Sequence, residues 1–323
     1  MTIDLKPAKK SFDDLPDHLK KAYLAREKKS KGRSPREVGE DKVDKALEWI
    51  YRWGWASPAT IDVLIDTKRR GFSARLVKRG LVRSTKTADG GATKGVPIFV
   101  LTLTELGVAE VERNPVKIMP YELNPSRVVS PTFLRHDQLT QIATARNMVR
   151  GNIKLFISPK EIGKKSLANV KQPDAIWILP NGKIQMIEVE LWKKHGKPLD
   201  QFVNSCVCAL SQQNDKGKVR FDLLTFITDS PSILQEYKAV LKEGHRYFIW
   251  KANEFGIWKA VESRKVPAEI GKKIQWSLIE DTKKEKEKAD RLKLYEKKQA
   301  KRLSEQTELE KAFDSLLDGY ADE

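Results

Sequence analysis

The stretch that most constrains this chain runs from Gln172-Pro173-Asp174 to Glu188-Val189-Glu190-Leu191. Between the two acidic ends lie Ala175-Ile176-Trp177-Ile178-Leu179, then Pro180-Asn181-Gly182, then Lys183 onward. This reads as two strands and a tight turn. A two-residue Asn-Gly loop would leave Pro180 as a paired strand residue without the N–H that pairing needs. A three-residue loop suits the residues better, with Pro180 and Asn181 as the central positions of a type I turn and Gly182 in the left-handed bulge position. Leu179 then faces Lys183, and counting back sets Asp174 opposite Glu188. Strand alternation puts Glu190 on the same face as Glu188.

Three carboxylates converging on one face repel each other unless a divalent cation or a shared proton offsets their charge. Their neighbours are apolar on both faces, as in a strand buried on both sides. The acids are therefore candidates for a Mg²⁺ or Mn²⁺ site. Two structural readings of the same acids stay open: a solvated edge hairpin, and a salt-bridge cluster with Lys193, Lys194 or Arg135.

Charge points to the partner. Among 323 residues, 61 Lys and Arg face 44 Asp and Glu, a formal charge of +17 that favours a polyanion. Length allows two domains with separate cores. No apolar run suits a spanning helix and Met1 to Pro7 lacks a signal-peptide core, so a cytoplasmic protein without membrane insertion is expected. Cys206 and Cys208 stand two apart without a second pair and read as small buried apolar residues.

Along the chain, residues 1–41 read as a basic disordered arm able to track a phosphate backbone. Helical spacing starts at Val43. Ser57-Pro58 opens a second helix, with Ser57 as cap. A third helix spans Ser73 to Lys78, capped by Ser73 and displaying Arg75, Lys78 and Arg79, with Arg69 and Arg70 just ahead of it. Strands at 80–82 and 97–103 flank a Gly90-Gly91 loop bearing Lys86 and Lys94, and a helix closes the unit. Residues 42–113 thus resemble a winged helix-turn-helix, which implies double-stranded DNA contact through the third helix. The same module also allows a homodimer. A linker follows over 114–131.

Residues 132–280 carry the acidic hairpin in an α-β-β-α-β-α-β order: a helix from Phe133 to Met148 with His136 and Asp137 near its start, the hairpin, a helix from Pro198, a buried strand from Phe221, a helix from Ser232 and a last strand, Tyr247 to Trp250. This order, with Pro173-Asp174 and Glu188-Val189-Glu190, resembles the PD-(D/E)xK nuclease core. Glu190 stands where lysine is usual, so Lys193, Lys194 and Lys197 are candidates for a displaced lysine. Residues 281–323 read as a charged helical tail. The expected fold is therefore α/β (α+β): a winged helix, a restriction-endonuclease-like mixed-sheet core, and the tail.

The combination, most specifically "LRHDQLT", "QPDAIWI" and "IEVEL", resembles the replication-relaxation family, which includes MobC-type relaxases of mobilisable plasmids. That resemblance implies a metal-dependent nickase acting at a plasmid transfer origin, with a type IV coupling protein or an accessory relaxosome protein as partner. On it, His136 and Asp137 form the His-Asp pair, and Asp174, Glu188 and Glu190 form the acidic metal centre; of the candidate lysines, Lys193 is the first taken as assisting. Two other functions compete. One is a plasmid replication or transcription regulator whose nuclease-like core is only a scaffold. The other is a general restriction- or repair-type endonuclease.

Overall fold

In the computed structural model, residues 32–67, 71–113, 117–163, 172–211 and 219–279 are described, together with Asp17 and Lys20. Most of the basic arm, Arg69, Arg70 and the tail beyond residue 280 lie outside the described residues.

Helix α1 spans Pro35–Trp53 and starts eight residues before the expected Val43. Ser34 and Glu37 form a reciprocal capping box and Pro35 occupies the first helical turn, so the first exposed N–H groups are satisfied locally. The arm therefore ends before residue 34. Gly54, at φ 88°, ends the helix. Helix α2 (Pro58–Leu64) is capped by Ser57, as its sequence predicts. Helix α3 (Phe72–Lys78) differs from expectation at its start: Gly71 holds the cap position at φ 99°, while Ser73 is buried one residue inside the helix. Phe72 enters the core, which fixes the helix phase and turns Ser73 inward. Strands β1 (Val82–Lys86) and β2 (Phe99–Leu103) pair antiparallel, with Val82 opposite Leu103, and α4 (Glu105–Glu112) follows.

The expected linker is partly strapped to this unit. The Tyr51 hydroxyl lies 2.7 Å from the Met119 carbonyl, and the Tyr121 hydroxyl donates to the Gly54 carbonyl at 2.7 Å. After a short helix, α5 (Pro125–Val128), comes α6 (Leu134–Val149).

The main sheet has five strands in the order β3-β4-β5-β6-β9. They are β3 (Leu155–Ile157), β4 (Ala175–Ile178), β5 (Ile184–Val189), β6 (Leu223–Thr228) and β9 (Ile274–Leu278), with a single-turn helix α7 (Pro159–Ile162) after β3. β4 runs antiparallel to both β3 and β5, while β6 is parallel to both β5 and β9. Helices α8 (Lys197–Ser211) and α9 (Pro231–Val240) connect the later strands, and α10 (Ala268–Lys272) precedes β9. The protein is thus mixed α/β.

Two expectations about this sheet are corrected. The run Tyr247 to Trp250 is not its last strand; it lies in β7 (Arg246–Ala252), which pairs only with β8 (Trp258–Lys265) as a separate two-stranded ribbon. The last strand of the sheet is β9, whose alternation Ile-Gln-Trp-Ser-Leu is too polar to announce a buried strand. Edge strand β3, only three residues long, is also absent from the expected order.

The core lies on both faces of the sheet. One cluster joins Leu47, Ile50 and Ile61 from the N-terminal helices to Trp177, Ile187 and Val189 of the sheet, with no break between the two units. The other packs Met186, Phe226 and Leu224 under Phe202 of α8 and Tyr237 of α9. A buried polar seam welds α6 to the N-terminal unit. Gln138 Nε2 donates to Ser57 Oγ at 2.8 Å, Gln141 Nε2 donates to the Trp55 carbonyl at 3.0 Å, and Trp49 Nε1 donates to Gln141 Oε1 at 3.0 Å. This seam sets where the first turn of α6 meets the sheet.

Candidate active site

Turn chemistry builds the site first. Leu179 N donates to the Lys183 carbonyl at 2.9 Å, Gly182 N donates to the Leu179 carbonyl at 2.9 Å, and Gly182 sits at φ 82°. Ala175 pairs with Ile187 and Ile178 with Ile184. One step beyond Ala175, the Asp174 N–H donates to the Ile187 carbonyl at 2.9 Å, so Asp174 stands opposite Glu188. The three-residue loop therefore sets the register that the sequence predicts.

Each carboxylate then has its own surroundings. Asp174 Oδ2 accepts from the Val189 N–H at 2.7 Å, folding over the end of the hairpin, and lies 3.2 Å from His136 Nε2 on the first turn of α6. His136 Nδ1 lies 3.0 Å from Asp137 Oδ1. Burial pushes the imidazole down, but the hydrogen bonds and charges of Asp137 and Asp174 together outweigh it and hold His136 up to about 10. At neutral pH both ring nitrogens carry protons, one donated to each carboxylate. Glu188 is 0 % exposed, in the middle of the sheet between β4 and β6. Glu190 is buried just past the end of β5, its N–H donating to the Ile227 carbonyl at 2.9 Å, and its carboxylate pairs with Lys194.

Among the described residues, no three His, Cys, Asp or Glu side chains gather as a ready-made metal cluster. The outer two acids are held by cations instead, Asp174 by His136 and Glu190 by Lys194. That agrees in part with the salt-bridge reading of these acids and offsets their mutual repulsion. The donor set itself, three carboxylates, has the hard-oxygen character that Mg²⁺ and Mn²⁺ take.

The three candidate lysines part company. Lys193 points to α9, where its Nζ lies 2.8 Å from Glu236, and it is Lys194 that reaches the acidic end. Lys197 is placed over the Trp258 ring at 4.1 Å. Sequence reading also missed the pair of Arg135 and Asp229, 2.5 Å apart, which ties the start of α6 to the end of β6. No local signal marks that pair, because its partners are far apart in the chain.

The basic residues of the N-terminal unit lie on its helix, strand and hairpin loop, and Lys94 lines one pocket with Arg135 of α6. Arg75, Lys78, Lys86 and Lys94 are exposed on α3, β1 and the following loop. Arg79 is exposed but forms an ion pair with Glu40 of α1 at 3.2 Å. Of the remaining sequence candidates, Cys206 is buried in the core and Cys208 is half-buried. No helix among the described residues is long and apolar enough to cross a membrane.

No protein-family model, curated protein or solved structure matches this chain.

Proposed function

We propose that the protein is a metal-dependent DNA endonuclease that nicks one strand, with the acidic end of the β4–β5 hairpin as its active site. The observation that carries this reading is the register of Asp174 opposite Glu188, with Glu190 following on the same strand, in a chain of charge +17. Asp174, Glu188 and Glu190 would hold Mg²⁺ or Mn²⁺. When bound, the ion would acidify a water and neutralise charge developing on the phosphorane.

The chain's own groups fill the other roles. His136, protonated at Nε2 beside Asp174, supplies a proton donor and a positive charge for phosphate oxygens or the leaving oxygen. Lys194 orients Glu190 and brings a second cation to the same end. Three helices followed by a two-stranded hairpin support a winged helix in residues 35–112, and the exposed Arg75 and Lys78 of α3 are the groups we assign to the major groove. The acidic hairpin at the centre of a mixed sheet supports a PD-(D/E)xK-like core.

Hydrolysis suits this site better than covalent attack by Tyr121, Tyr237 or Tyr247 of the described residues. Tyr237 and Tyr247 are buried, and the Tyr121 hydroxyl is tied to Gly54 and Leu103, its pKa pushed up by burial. Nicking at a plasmid transfer origin, with relaxosome or coupling-protein partners, is the biological setting that the likeness to replication-relaxation proteins suggests.

One observation favours the competing scaffold reading: Asp174 and Glu190 already have cationic partners in His136 and Lys194. Supercoiled plasmid incubated with Mg²⁺ or Mn²⁺ separates the two. Open-circular product with one unique 5′ end supports a nickase. Linear products with scattered ends point to a general endonuclease, and intact plasmid under both metals points to the scaffold.

A further inference from the structure

The ribbon of β7 and β8 stands outside the main sheet, and all eight residues of β8 are exposed. Its register shifts between Ile249 and Trp250, after which Trp250 pairs with Ala260 and Ala252 with Trp258. Side chains alternate along a strand and directly paired residues share a face. Phe248, Trp250 and Trp258 therefore lie on one face of the ribbon. The opposite face turns Tyr247 into the core.

That aromatic face borders a groove of about 510 Å³ against α8, which also reaches Lys194. Lys194 is the residue that pairs with Glu190. One end of the groove thus adjoins the acidic site. Its rings are held in place: Trp250 Nε1 donates to Asp200 Oδ2 at 2.8 Å, and Lys197 Nζ sits 4.1 Å over the Trp258 ring. Phe248 and Trp258 are nevertheless each 44 % exposed.

Charge selects the occupant. By the same alternation Arg246 and Lys265 share the face of the rings, and Lys194 and Lys197 at the neighbouring start of α8 lie beside them. Rigid, exposed aromatic rings interleaved with cations suit unpaired bases, which stack by their π-faces while the backbone phosphates follow the cations. A duplex keeps those base faces covered, so the unpaired strand is the nucleic acid that fits.

We infer that the β7–β8 ribbon is a stacking platform for single-stranded DNA, which the groove leads past Lys194 to the acidic site. The direction of the strand rests on the nuclease reading; the binding does not. A nickase with such a platform would take its substrate locally unpaired, with the strand to be cut on the ribbon.

The test uses the full chain carrying Glu188→Gln, so that DNA stays intact, and a labelled oligothymidylate of about 20 nucleotides beside a duplex of equal length. Fluorescence anisotropy should show that Phe248→Ala with Trp258→Ala weakens oligothymidylate binding about tenfold or more while duplex affinity stays within about twofold. Trp258→Phe keeps a stacking ring and should retain the affinity. Binding of the oligonucleotide should also quench tryptophan emission, less so without Trp258. Unchanged oligothymidylate affinity in the double alanine variant overturns the inference, as does an equal loss for single strand and duplex. Plasmid nicking by the chain with Glu188 intact is scored in parallel. Its absence, with ribbon-dependent oligonucleotide binding present, defeats the nuclease reading and leaves the platform standing.

Discussion

His136 Nε2 lies 3.2 Å from Asp174 Oδ2, joining the first turn of α6 to the end of the acidic hairpin. The contact bridges 38 residues of sequence, from 136 to 174, and places an imidazolium where the first of three acids ends its strand. Its other nitrogen faces Asp137. The site therefore carries its own counter-charge.

That contact has a measurable pH signature in the metal-free protein. His136 is raised from 6.5 to about 10 in the folded chain, so its charge stabilises the fold fully below pH 6.5. The contribution fades as pH rises toward 10 and is gone above it. Urea midpoints measured with EDTA from pH 6 to pH 10 should fall more for the native chain than for His136→Gln. A histidine ring titrating near its ordinary value by NMR would refute the bridge.

Removing an acid should separate cutting from holding. Asp174→Ala or Glu188→Ala should lower plasmid nicking by about 100-fold or more while DNA affinity is kept or improved, since each acid repels phosphate. Gel-shift and nicking assays on the same preparation read both quantities. Loss of binding in step with activity would point to misfolding or to an acid that serves structure alone.

The exposed cations of α3 test which element reads sequence. Arg75→Ala with Lys78→Ala should weaken binding to a preferred site more than binding to random duplex, and removing residues 1–31 should weaken both alike and flatten the salt dependence. Titration at several salt concentrations distinguishes them. Equal losses on both DNAs would remove α3 as the reader.

The polar seam behind the site should be costly to break. Gln141 is fully buried, accepting from Trp49 Nε1 and donating to the Trp55 carbonyl. Gln141→Ala would leave both partners buried and unmatched, a loss of about 1–3 kcal/mol for each. Chemical denaturation should show a single transition at lower urea. A midpoint within error of the native chain would show that the seam is not what fixes α6.

What the residues alone determined is local. The register of Asp174 against Glu188 follows from Pro180-Asn181-Gly182, because a hairpin's pairing is set by the torsions available to its turn. The capped start of α2 follows from Ser57-Pro58 for the same reason. The earlier start of α1 is equally local, written in the capping box of Ser34 and Glu37, while the apolar spacing marks only the buried stretch from Val43.

Tertiary structure decided the rest. A run such as Tyr247-Phe248-Ile249-Trp250 is apolar whether its faces meet a core or a groove, and only packing against α8 showed that it leaves the sheet to β9. Which lysine pairs with Glu190 hung on tertiary geometry, since Lys194 reached it while Lys193 met Glu236 of α9. His136 could be noted from its neighbours, but its contact with Asp174 depends on the seam that seats α6. Turn torsions are written into neighbouring residues; contacts across tens of residues exist only once burial has brought the elements together.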